Sequence, residues 1–92
     1  MISIGFDPAK RDRTLRERNV DFADAVFVFE GPTYDRPDTR MEYGEARIQT
    51  FGLLNGRMVI VVWTPRQDLR HFISMRKCNA REQAEHRHHF EF

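Results

Sequence analysis

The pair Asn55-Gly56 lies between two stretches of strand-forming residues, and a chain built this way is committed to a tight β-hairpin near its middle. The two-residue turn that matches strand twist needs left-handed backbone at both positions, which Asn and Gly adopt at little cost. Arg47 to Leu54 reads as the outgoing strand and Arg57 to Thr64 as the returning one. Met58 to Trp63 is apolar throughout, so the returning strand is expected to be central and covered on both faces. Pro65 should end it, Gln67-Asp68 should turn the chain, and Leu69 to Arg76 alternates as the third strand of an antiparallel meander.

The flanking segments read as helices and one further strand. Ile2 to Phe6 alternates as a first strand. Asp7-Pro8 then offers an N-cap followed by proline at the first helical position, opening a highly charged helix through Arg11, Leu15 and Arg18 that stops at Asn19. Asp21 is a second N-cap. Behind it Phe22, Ala25, Val26 and Phe29 fall on one helical face, closed by Gly31-Pro32. Residues 32–44 are polar and contain two prolines, which predicts a loop with room for a short extended piece. Asn79 with Glu82 three residues later is a capping-box pattern that opens a last helix through Ala84. The sum is β-α-α-β-β-β-α, an α+β fold with helices packed on an antiparallel sheet, and 92 residues suffice for one domain spanning 1–92.

The longest apolar run is far too short to cross a bilayer, and the N-terminus lacks the basic and apolar regions of a signal peptide. Cys78 is the only cysteine, which excludes an intrachain disulfide framework and a paired-cysteine metal site. A reducing cytoplasm is the expected home. The formal net charge of +1 hides an asymmetry: residues 1–44 carry seven basic and nine acidic side chains, whereas residues 57–81 carry six basic and one acidic. Thirteen of the fifteen cations are arginine, whose planar fork grips phosphate at two points and stacks on bases. A cationic cluster confined to one half of a chain points to a polyanionic partner.

Strict alternation from Leu69 to Arg76 sends Arg70, Phe72, Ser74 and Arg76 to one face and Leu69, His71, Ile73 and Met75 to the other. Two guanidiniums, a hydroxyl and a ring on one strand face suit an RNA phosphate beside a stacked base. The same residues also describe an ordinary solvated sheet face. Arg47 and Arg57 lie near ends of neighbouring strands and can join the cluster, while Glu82 serves either as a helix cap or as a carboxylate base for a ribose hydroxyl. His86 and His89 share a helical face, but two histidines with an arginine between them do not complete a metal site. No metal or other cofactor is expected.

In order and spacing the chain resembles the BrnT toxins of type II toxin–antitoxin systems. The resemblance covers roughly residues 4–84. It rests on Phe6-Asp7-Pro8-Ala9-Lys10, on Val20-Asp21-Phe22-Ala23-Asp24-Ala25 leading to Phe29, and on Tyr43-Gly44-Glu45-Ala46-Arg47. It continues in Gly52-Leu53 and Gly56-Arg57, then in Ile73-Ser74-Met75-Arg76-Lys77 and Asn79-Ala80-Arg81-Glu82. The resemblance implies a RelE-like ribonuclease fold, metal-independent endonucleolytic cleavage of RNA, and neutralisation by a BrnA-type ribbon-helix-helix antitoxin. Operator DNA would be bound only through the toxin–antitoxin complex. Two positions depart from the family pattern. Arg18 stands where a His often precedes the Val-x-Phe segment, and His71, beside Arg70, stands where an Arg often lies three residues before the motif Ser. Only a bulge would bring position 71 and Arg76 to one face.

These observations converge on a slow endoribonuclease. On this expectation Arg76 would stabilise the phosphorane, Arg47 and Arg70 would hold the phosphate, Glu82 or His71 would move protons, and Arg18, Arg57, Phe72, Ser74 and Lys77 would bind RNA. The rival readings are a catalytically inactive antitoxin-binding relative and a DNA-binding protein. A sheet edge or the last helix could pair two copies into a homodimer.

Overall fold

A computed structural model of the chain describes residues 3–90, in the order β1 (Ser3–Phe6), α1 (Pro8–Arg18), a 3-10 turn (Phe22–Asp24), α2 (Ala25–Glu30), β2 (Thr33–Pro37), β3 (Ile48–Leu54), β4 (Arg57–Arg66), β5 (Leu69–Lys77), α3 (Ala80–His86) and a final 3-10 turn (Arg87–His89). The strands form one sheet in the order β1-β5-β4-β3-β2. The hairpin forms where expected, with Asn55 and Gly56 at φ 52° and 78° and Leu54 opposite Arg57. The helix starts also follow their caps: Ala9 N–H donates to the Asp7 carboxylate, Ala23 N–H to Asp21, and Asn79 and Glu82 close a reciprocal capping box.

Three expectations need correction. The sheet is mixed, not antiparallel, because β1 pairs in parallel with β5, Ser3 opposite Leu69 and Phe6 opposite Phe72. The short extended piece allowed for in residues 32–44 does form, as the edge strand β2, antiparallel to β3. Its residues are mostly polar because only one side of an edge strand meets the core, and its charges and Pro37 discourage further pairing. Pro65 does not end β4. It sits where β4 has run past the end of β3 and has a partner only in β5, so its missing donor is tolerated. Finally, the helix expected from Asp21 begins as a 3-10 turn and becomes α-helical only at Ala25, and the last helix continues to His86. Ile2 lies outside the described residues.

The two faces of the sheet carry separate cores. On the first face Val20, Phe22, Ala25 and Val28 pack against Val59, Val61, Trp63, Phe72 and Met75. Gly52 is required there because a Cβ would collide with the Val28 side chain, so α2 lies closer to β3 than any other residue would permit. On the second face Phe51, Met58, Ile60 and Cys78 form a smaller cluster with Tyr34, Leu53 and Phe90 against it. Cys78 is buried there, and burial pushes its thiol up to about 11, so it is an inert packing group.

Candidate active site

The site is set by an irregularity in β5. Val62 pairs with Ser74, but Trp63 pairs with Phe72, leaving Ile73 as an extra residue. The bulge lets Phe72 and Met75, three residues apart, both enter the first-face core with no exposure. It also reverses parity along the strand. Residues 74 and 76 therefore share the second face with His71, and Arg70 goes with Phe72 to the first. The expected face of Arg70, Phe72, Ser74 and Arg76 does not exist.

Arg70 stands on the first face, its guanidinium carbon 4.1 Å from the Phe29 ring centre and 5.1 Å from that of Trp63. Its Nε is buried without a hydrogen-bond partner. Phe72 is a core residue and cannot touch RNA. Lys77 and Arg57 also belong to the first face, opposite Asp21 and Asp24 across a groove of about 520 Å³, and Arg57 donates to the Cys78 carbonyl at 2.9 Å. Arg18 donates to the Met75 carbonyl at 3.3 Å and so braces the outer edge of β5 against α1. Ser74 lines a cleft of about 200 Å³ between α1 and β5.

On the second face, successive cross-strand rows place side chains side by side. One runs Arg36, Gln49, Val62 and Ser74; the next runs Tyr34, Phe51, Ile60 and Arg76. Helix α3 crosses above the latter, with Glu82 at the Arg76 end and His86 against Phe51 at the other. Arg76 donates from Nη1 and Nη2 to the two Glu82 oxygens, both at 2.7 Å. Asn79 N–H donates to the same carboxylate at 2.9 Å. Together the Arg76 hydrogen bonds and this backbone donor hold Glu82 down at about 2, against the cost of burial. The Arg76 pKa is raised in return by the same hydrogen bonds. The Arg76 side chain stays 41% exposed and the Glu82 side chain 14%, so the ion pair orients the guanidinium while leaving part of it accessible to solvent.

A second cationic unit, absent from the sequence reading, stands nearby. The carboxylate of Asp38 is fully buried and receives Arg40 Nε at 2.8 Å and Nη2 at 2.7 Å, with the Tyr43 hydroxyl 3.4 Å away. Arg40 holds Asp38 down at about 2. The Arg40 charge is close enough to Arg76 to oppose its protonation. Arg47, from the predicted set, lies with its guanidinium carbon 3.9 Å above the Tyr43 ring, its Nε buried and without a partner. Arg36 donates to Gln49 at 2.7 Å and lies over Phe51. Nothing in the local pattern of residues 36–43 announces this arrangement, since it depends on β2 pairing at the sheet edge.

His71 is half-buried, and burial together with the charges of Arg66 and Lys10 lowers its pKa. It shares the Arg76 face but lies about 15 Å away along the strand, because five residues of extended chain separate them. Position 71 and Arg76 thus face the same way without meeting. Among the described residues no group of three or more His, Cys, Asp or Glu is placed to hold a metal ion, and no helix is long and apolar enough to cross a membrane.

No curated protein matches the chain. A family model does, over residues 6–82: the ribonuclease toxin, BrnT, of type II toxin–antitoxin systems. The match runs from the last residue of β1 through the first turn of α3, including Arg76 and Glu82. The chain therefore belongs to the BrnT family of ribonuclease toxins.

Proposed function

We propose that this chain is a slow, metal-independent endoribonuclease whose centre is the Arg76–Glu82 pair on the second sheet face. The observation that carries this reading is a guanidinium fixed at two points by the Glu82 carboxylate and still 41% exposed to solvent. Such a group is preorganised for charge that develops on a phosphorane, which is where electrostatic catalysis gains most. Attack of a ribose 2′-oxygen on the adjacent phosphorus expels the 5′-oxygen of the next nucleotide, leaving a 2′,3′-cyclic phosphate and a 5′-hydroxyl. Arg76 stabilises the phosphorane, and Arg40 adds positive charge near it. Arg47, four residues along the chain from Phe51 in the Arg76 row, is no closer than His71. Glu82 orients Arg76 and, as the nearest carboxylate, takes the 2′-hydroxyl proton, which then passes to the departing 5′-oxygen and restores the carboxylate. A base whose pKa is about 2 does this poorly, in keeping with the slow turnover proposed. His71 is too distant to take part at the same phosphate, and Arg70 is on the wrong face.

The remaining assignments rest on family membership. A cytoplasmic, single-domain toxin with a RelE-like fold would be neutralised by a BrnA-like ribbon-helix-helix antitoxin and would meet operator DNA only within that complex. The test is cleavage of mixed-sequence RNA in EDTA by the parent, Arg76→Ala and Arg70→Ala. Cleavage by the parent and by Arg70→Ala, but not by a folded Arg76→Ala, is the expected result. Equal cleavage by all three would remove Arg76 from the centre. No cleavage by the folded parent would favour an inactive antitoxin-binding protein.

A further inference from the structure

A pile of flat rings leads from the second-face core to the surface at the β2 edge. Buried Phe51 lies 4.2 Å from the His86 ring, and His86 in turn lies against Tyr34. Tyr34 stacks on His89 with centres 3.7 Å apart and planes only 8° from parallel. His89 meets His88 at 3.9 Å, and His88 is exposed. The three histidines lie beyond residue 82, outside the segment that the family model matches.

The inner part of the pile has a packing role, since His86 is 6% exposed and completes the cover of Phe51. Among the ring contacts of the described residues, His88 meets only His89. Its ring extends the pile into solvent, where exposed Arg87 adds positive charge, and Arg36, also exposed, lies over Phe51 further back. The cross-strand row beneath runs from Tyr34 to Arg76 over three strand spacings, about 14 Å. Flat rings that end in solvent beside a guanidinium suit a single-stranded RNA base, because every base has a π-face and histidine is among the side chains on which bases stack.

We propose that His88 and His89 form a base-stacking platform for a nucleotide flanking the scissile phosphate, so that the segment beyond the family match sets how this toxin holds its RNA. The proposal rests on the reading of the Arg76–Glu82 pair as the cleavage centre. The platform acts on binding, and its loss is read in affinity and KM while kcat is spared.

The test uses a single-stranded 2′-O-methyl RNA carrying 2-aminopurine, which lacks the attacking hydroxyl and so reports binding without cleavage. The parent is expected to bind it and quench the 2-aminopurine fluorescence. Replacing both His88 and His89 by Ala should weaken binding about tenfold and abolish the quench, the size expected for one lost stacked base. Phe at both positions should restore both signals. His88→Ala alone, which touches no core residue, should keep the parent melting temperature and lose part of the quench. Unchanged affinity in the double Ala variant, or no rescue by Phe, overturns the platform. A parent that cleaves RNA yet ignores these changes overturns the platform alone, whereas a folded parent that binds no RNA overturns the ribonuclease reading with it.

Discussion

Replacing Glu82 by Gln isolates the ion pair that orients Arg76, because Gln can still fill the third position of a capping box. In the folded protein Glu82 titrates at about 2 instead of the ordinary 4.5. Taken whole, a displacement of that size corresponds to roughly 3 kcal/mol at about 1.4 kcal/mol per pH unit. The Arg76 side of the pair is 41% exposed, and solvent screening reduces the contribution to about 1–2 kcal/mol. A carboxylate whose folded pKa is depressed contributes stability that is fully present above its unfolded value and is lost as pH falls through the folded one. The difference between parent and Glu82→Gln should therefore be full at pH 6–7, begin to shrink near pH 4.5, and be small by pH 2. For a domain of this length, about 1–2 kcal/mol corresponds to a fall in melting temperature of roughly 5–15 °C. Urea unfolding of both proteins across this pH range measures it. Asp21 and Asp38 are depressed in the same way by Arg11 and Arg40, but they are common to both proteins and cancel in the difference. A difference that stays constant from pH 7 to pH 2, or that is absent at pH 7, would refute the coupling of Glu82 to Arg76.

Two other substitutions test the architecture that positions the site. Phe72→Ala should cost about 3–5 kcal/mol in urea unfolding by opening a cavity between α2 and the sheet. Refolded in excess antitoxin-free buffer at low temperature, it should still bind RNA, which an RNA-contacting ring would not allow. Gly52→Ala should destabilise by about 1–3 kcal/mol, because the new methyl group meets Val28 on α2 and the helix must move off β3. An unchanged melting temperature would contradict the close approach.

Much of the local structure could be read directly along the chain. Asn55-Gly56 specified the hairpin, Asp7-Pro8 and Asn79 with Glu82 specified two helix starts, and Met58 to Trp63 marked the central strand. Each of these depends on residues close in sequence, whose backbone preferences and hydrogen bonds act over a turn or a cap. The Arg76–Glu82 pair at the centre of the proposed site was legible for the same reason: the two are six positions apart and joined by a strand end and a cap. The sequence even held a clue to the bulge, since Phe72 and Met75 are both large and apolar at a spacing that strict alternation cannot bury on one face.

What the chain alone determined is thus the identity of most elements, the starts that a cap or turn marks, and the family they belong to. Tertiary structure alone decided the rest. The parallel pairing of β1 with β5 joins residues more than sixty positions apart, and the polar edge strand β2 is stable only because β3 offers it a ladder. The bulge at Ile73 arises because packing against α2 outweighs an uninterrupted ladder, and it is this single extra residue that sends Arg70 to one face and Arg76 to the other. Local propensity is a property of a few neighbouring residues, whereas the face a strand residue occupies depends on the register that the whole core selects.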